Sequence, residues 1–241
     1  QAANGVILVT TKRGKLQKPT ISYESSISVN SNTRFPEFLN GPDYMQWFSR
    51  AEEMDNDYLI NTNQDPKALT YTQAQIDALR NGTNTNPLFG NTDWVGELLG
   101  KTSTTQSHAI TVRGGSEKIK YFSSLGYLDQ DGIVENTDYK RYNLRTNLDA
   151  QLNSILSVSL DLGARLQKTN TPGISPDNTA YMNPFYQAVR TLPNMPMYAE
   201  NGLPTAYASN AGYVNPLASV SQSGYQRGET NVFQSTLTFN V

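Results

Sequence analysis

The chain has no cysteine and one histidine, His108. Without cysteine there is no disulfide framework and no thiolate metal site, and one histidine cannot build a His cluster around a metal. No Ser-His relay has supporting context either. Charge is scarce and balanced: 19 Lys and Arg against 21 Asp and Glu leave a net charge of −2, so the basic footprint of a nucleic-acid binder is missing. No apolar run reaches the ~18 residues of a transmembrane helix. The longest candidate is residues 5–9. The first residue is Gln1, with neither Met nor a signal peptide before it, and Val241 lies inside a strand-like run. Both ends read as cut, which gives the expectation of a fragment of a longer polypeptide.

What is present is alternation. Residues 156–168 read LSVSLDLGARLQK. Leu156, Val158, Leu160, Leu162, Ala164 and Leu166 fall on one face, and Ser157, Ser159, Asp161, Gly163, Arg165 and Gln167 on the other. The segment is long: a strand tilted across a bilayer needs roughly 9–11 residues, whereas soluble strands usually have ~5–6. Similar patterns recur over residues 20–31, 104–113, 118–129, 139–150 and 233–241, with Phe122 and Leu128 interrupting the polar face of the third. The 14 tyrosines suit both strands and membrane interfaces. A composition only 37% hydrophobic is compatible with this, because barrel strands turn only alternate residues to lipid.

Between the strands, residues 5–11 (GVILVTT) suit a strand buried on both faces, followed by a basic turn at residues 12–15. Tyr44, Trp47, Phe48, Ala51 and Met54 recur near helical spacing within residues 40–59, with Asp43 at the start. Thr72 and Gln75 form a capping-box pair for a helix over 72–81 that Gly82 stops. Residues 182–192 suit a helix with Pro184 in its first turn. Tight turns are expected at 114–117 and 151–155, and longer connections at 32–103, 130–138 and 169–230. Outer-membrane barrels have short periplasmic turns and long extracellular loops, so the longer connections are expected outside the cell. The expected fold class is mainly β: part of an antiparallel transmembrane β-barrel with long, partly helical extracellular loops.

Three stretches carry a family resemblance. NGVILVTTKRGK (residues 4–15) resembles the end of the plug domain in SusC/RagA-type TonB-linked outer-membrane transporters. HAITVRGGSEKIKYFSSLGYLDQDGIVENTDYKRYNLRTNLDAQLN (108–153) resembles the first barrel hairpins of that family. NPLA (215–218) and NVFQSTLTFNV (231–241) resemble a loop and strand that follow. The resemblance implies residues 1–18 as the C-terminal end of the plug and 19–241 as about six strands of the N-terminal barrel wall. It further implies import of an oligosaccharide or peptide through the outer membrane of a Gram-negative bacterium. A SusD-like lipoprotein would cap the barrel, and TonB would supply energy through a segment absent here. It implies no enzyme activity and no cofactor. The complete fold resembles a plugged 22-stranded barrel, which six strands cannot close.

Candidate functional residues fall into two groups. Arg141, Arg145, Asp149, Asp161 and Arg165 lie on faces assigned to the lumen; they contact the plug or solute, or pair with one another across strands. Trp94, Tyr181, Phe185, Tyr186, Tyr198, Tyr207 and Tyr213 lie in segments assigned outside the cell. Packing of loops on one another, contact with the lid and stacking on substrate are their three roles, in that order. Other patterns carry less. Residues 129–132 (DQDG) miss the calcium-loop pattern at positions 1 and 12 and read as a polar turn. Glu52 and Glu53 are a solvated helix face, His108 is a strand residue near a membrane interface, and Lys12, Arg13 and Lys15 mark the plug-to-barrel turn. Two rival classes stand beside this one: a soluble β-sandwich carbohydrate-binding module, whose strands would also alternate, and a secreted glycan hydrolase, for which the sequence offers no facing carboxylate pair.

Overall fold

The alternating segments become six consecutive strands. The computed structural model describes residues 11–174, 183–205 and 213–241. Strands β1 (Gln17–Asn30), β2 (Ser103–Gly115), β3 (Ile119–Asp131), β4 (Asp138–Gln151), β5 (Ser157–Pro172) and β6 (Tyr225–Asn240) form one antiparallel sheet in chain order. They run 13 to 16 residues, longer than a bilayer requires, so their ends project beyond an apolar core. The strand expected over residues 5–11 lies, apart from Thr11, outside the described residues.

Register sorts the side chains into rows. Tyr23, Ile110, Leu125, Leu144, Ala164 and Phe233 make one row across all six strands. This row is exposed: Leu125 keeps 53% and Phe233 72% of its surface. Two residues along each strand towards the long connections comes a row containing His108, Tyr127 and Tyr142. The rings of Tyr23, His108, Tyr127 and Tyr142 follow one another at centroid separations of 6.1, 6.2 and 5.0 Å. The next row holds Asp129, Lys140, Lys168 and Glu229, paired as Lys140–Asp129 at 3.5 Å and Lys168–Glu229 at 3.7 Å. Apolar band, aromatic row and charged row succeed one another on this face. The opposite face is polar, as in the row Ser22, Thr111, Ser124, Arg145, Gly163, Gln234.

The first, third and fifth connections meet at one end of the sheet. The first carries α1 (Gly41–Asn61), α2 (Gln73–Arg80) and α3 (Trp94–Leu99); the fifth carries α4 (Pro184–Arg190) and α5 (Pro216–Ser221). Trp94, Val95 and Leu98 of α3 bury against Ala188 of α4, Val220 of α5 and Val134 of the third connection. A second cluster joins Met45 of α1, Tyr71 of the segment before α2 and Ile76 of α2. Backbone bonds tie the two long connections together, Gly90 N to Asn194 O at 2.8 Å and Thr92 N to Pro193 O at 2.9 Å. The result is a small cap held by its own core.

Several elements differ from the sequence reading. Gly114 and Gly115 do not turn; they pair in β2 with Tyr121 and Lys120, and the chain turns after them, where Ser116 N donates to Ile119 O at 2.7 Å. The glycines are needed for close approach instead: a Cβ on Gly115 would lie 2.7 Å from Ile119 O and 2.9 Å from Lys15 O. The third connection shrinks because β3 and β4 stay paired out to Asp131 and Asp138. Likewise β6 starts at Tyr225, well inside the stretch read as loop, because its polar first half pairs with the end of β5. Helices α3 and α5 are not marked in the sequence by any period, being six residues each.

Candidate functional site

The polar face gathers the first group of candidates. Alternation places Arg141, Arg145 and Asp149 of β4 and Asp161 and Arg165 of β5 on this one side. The segment before β1 runs across it. Arg13 sends one guanidinium nitrogen to Asp149 and the other to Asp161, each at 2.8 Å. Ser159 Oγ donates to the same Asp149 oxygen at 2.8 Å. The backbone of the segment is held as well: Arg113 Nε donates to Arg13 O at 3.0 Å and Asn147 Nδ2 to Lys12 O at 2.6 Å. Beneath it Phe122 and Asn147 are buried. Phe122, an interruption of the polar pattern in the sequence, is therefore the apolar seat for this crossing. Arg141, Arg145 and Arg165 make no ion pair among the described residues, and Arg141 Nε is buried without a hydrogen-bond partner. The two acids thus engage the crossing segment, while cross-strand charge pairing occurs on the other face.

The second group divides by depth. Trp94 is 3% exposed and its Nε1 donates to Leu192 O at 3.0 Å, so it holds the cap together. Phe185, Tyr186 and Tyr198 are about half exposed. Arg190 brings two aromatics together, its guanidinium lying 5.7 Å from the Tyr186 ring centre and 5.3 Å from that of Tyr213. Tyr181 and Tyr207 lie outside the described residues. Tyr44 is a neighbour that the sequence did not single out as functional. Its phenol is pushed up from the ordinary 10.0 to about 12, first by burial and then by the nearby Tyr71 and Tyr213.

Two cavities open in this region. One, about 720 Å³, lies between residues 35–40 and 188–193, with Tyr44 and Asn91–Gly96 in its wall. The other, about 690 Å³, lies where the polar face meets the cap, lined by Asn30, Gln130, Val134, Pro172, Phe185 and Gln226 among others. Both have the size of small-molecule sites. Of their apolar lining, Phe35, Phe38 and Ile133 stand alone in irregular segments, where no periodicity marks them. The remaining motifs are accounted for locally. Asp129 accepts from Tyr127 Oη at 2.6 Å, and Asp131 accepts from Thr104 Oγ1. Glu53 pairs with Arg50, and Glu52 accepts from the Thr70 amide at 2.8 Å, so only Glu53 is a plain surface residue. His108 stacks between Tyr23 and Tyr127, with Nδ1 2.7 Å from Tyr23 Oη.

The described residues thus make one antiparallel sheet with one exposed apolar face, one polar face and a cap on one end. Comparison with known proteins makes the class specific. No family model matches the chain. TonB-dependent receptor P26 of Formosa agariphila is 29% identical over 92% of this chain, and TonB-dependent receptor P3 of the same organism is 27% identical over 94%. TonB-dependent receptor SusC of Bacteroides thetaiotaomicron is 31% identical over 61% of this chain and 12% of its own length. The chain spans 20% of the length of each of the two Formosa relatives. Among solved structures, the RagAB peptide importer in its closed-closed state matches 86% of this chain and 24% of its own, with a TM-score of 0.60 and 22% identity. Another structure of the RagAB peptide transporter matches 90% of this chain and 26% of its own, with a TM-score of 0.59. At 22% identity these likenesses show the fold. Together with the relatives they support assignment of the chain to the SusC/RagA-type TonB-dependent transporters, as a fragment. The matched relatives are receptors and transporters rather than enzymes.

Proposed function

We propose that this chain is the N-terminal part of the wall of an active importer in a Gram-negative outer membrane, which takes up glycans or peptides. In this reading residues 1–18 end the plug, and residues 19–241 begin the barrel. The cap lies outside the cell beneath a SusD-like surface lipoprotein. TonB supplies energy through a segment of the parent protein that lies outside this chain. The observation that carries the reading is the exposed apolar row across six strands, bounded by an aromatic and then a charged row and backed by a polar face. In water, burial of such a face would be worth about 25 cal/mol per Å² and would not be forgone. Against lipid the same face is matched to its solvent, with aromatics at the headgroup level and charges beyond them.

The clasp of Arg13 on Asp149 and Asp161 supports the plug assignment, since a plug must be anchored to the wall it blocks. One cap cavity lies at the outer end of the polar face, where an incoming solute would arrive. The soluble β-sandwich needs a second sheet on the apolar face, and the six strands of the described residues make a single sheet. The deciding experiment is expression of the full-length gene with its neighbouring lipoprotein gene, followed by co-purification from detergent-solubilised outer membrane. A stable pair is the expected result. A full-length product confined to the soluble fraction would overturn the reading.

A further inference from the structure

One stretch of the polar face carries charge that nothing balances. The register puts Arg141 and Arg145 on β4, with Asn143 between them, and Arg165 on β5 opposite Asn143. Arg165 is therefore diagonal to both, about 7–8 Å away across the strand pair. The three form a zigzag line about 14 Å long along the wall. None has an ion-pair partner among the described residues, and Arg141 Nε is buried with no hydrogen bond. Three carboxylates share this face of the six strands. Asp149 and Asp161 are taken by Arg13. Glu24 stands in the row of Arg165 but on β1, three strands from β4. That is about 14 Å, beyond the ~8 Å Debye length of physiological salt. Packing leaves the line open as well: Gly163 lies opposite Arg145, and a Cβ there would meet nothing within 4 Å.

The line also has a direction. Beyond its outer end is the cavity lined by Gln130, Thr171 and Gln226. One row past Arg145, at its inner end, the segment of Arg13 crosses the wall at Asn147 and Asp161. The arginines thus lie on the cap side of that crossing. We propose that Arg141, Arg165 and Arg145 form a ladder that receives anionic groups of the solute, so that the imported oligomer carries carboxylates or sulfates. The proposal rests on the importer reading and narrows its substrate class. A guanidinium fork matches a carboxylate or a sulfate with two parallel hydrogen bonds, and it stays charged at any physiological pH. An uncompensated cationic line in a walled cleft concentrates anions along it. Acidic sugars and acidic peptides both present this chemistry.

The test uses the full-length transporter co-purified with its lipoprotein, and four fluorescent probes: hexaglutamate against hexaglutamine, and sulfated maltohexaose against plain maltohexaose. At least one charged probe is expected to bind at least about tenfold more tightly than its uncharged counterpart, with a preference that fades as salt is raised. The stronger of the two charged probes identifies peptide or glycan as the source. Changing Arg141, Arg145 and Arg165 together to Gln should abolish the preference. Gly163→Asp should reduce it too, by placing a carboxylate in the open space opposite Arg145 while every guanidinium is kept. The inference fails if neither charged probe is preferred, or if the preference survives both variants. It fails equally if the triple variant leaves probe binding unchanged but speeds tryptic cleavage after Lys12 and Lys15, since the arginines then hold the plug. Each of these results leaves the importer reading standing, whereas a full-length product confined to the soluble fraction removes both.

Discussion

Arg13 reaches carboxylates on two adjacent strands at once, and its backbone oxygen is held by a third strand through Arg113. The ion pairs are partly exposed, so each is worth only about 0–1 kcal/mol. Their use is positional: they fix where the segment before β1 crosses the wall. Arg13→Gln should therefore leave assembly unchanged but speed tryptic cleavage after Lys12 and Lys15 severalfold, as read by limited proteolysis of the full-length protein in detergent. Tyr44 gives a second prediction at this scale. Its phenol is held protonated to about pH 12, whereas the unfolded chain ionises near 10. The stabilisation is complete below the unfolded value and is lost as pH rises through about 10 to 12. The thermal unfolding midpoint of the cap should fall over that window in the wild type, and Tyr44→Phe should flatten the change. The sequence named Arg13, Asp149 and Asp161 separately. Their meeting needs the register of β4 against β5 and the path of a distant segment, and neither is a local property.

Elements divide by whether a period can be read. The capping box of α2 was legible because it is local chemistry: Thr72 Oγ1 accepts from Gln75 N, and Gln75 Oε1 accepts from Thr72 N at 2.9 Å. Thr72→Ala should cost about 1 kcal/mol of local stability, seen as faster amide exchange confined to α2. Helix α4 begins one residue after Asn183, whose side chain caps it, and Pro184 sits in its first turn as expected. By contrast α3 and α5 span less than two turns, too short for a hydrophobic stripe to repeat. Helix α1 is the instructive case. Its spacing announced a helix, and the helix is there, but of the apolar residues that announced it Trp47 and Met54 are exposed while Tyr44 and Phe48 pack towards Tyr71. Periodicity reports that a stripe exists; what covers it belongs to tertiary or quaternary structure.

For the whole molecule, the face assignment of the wall is the property most fully written in the sequence, because a period of two leaves only one alternative. Leu160 falls on the exposed apolar face beside Leu148 and Leu237, whereas Ser159 falls on the polar face beside Asp149. Leu160→Arg in the full-length protein should impair assembly, since a charge near mid-bilayer costs ~2–4 kcal/mol. Ser159→Arg should be much milder. Heat-modifiable migration on gels measures both, and equal damage or the reverse order would overturn the assignment of faces. The cap was less legible. Its core joins the first, third and fifth connections, and the contacts that define it cross long distances in sequence.

The order of the sheet has a consequence for how such a wall is made. Every strand pairs with the strand next to it in the chain, and three of the five joints are closed by short connections. Contacts of this kind are cheap to find, because little loop entropy is spent before each pairing is rewarded. The wall can lengthen one hairpin at a time, each finished strand serving as the template for its successor. The two wide joints, between β1 and β2 and between β5 and β6, are the slow steps, and the cap bridges both. A cap that gathers its own core early would draw those strand ends together, turning two long searches into short ones.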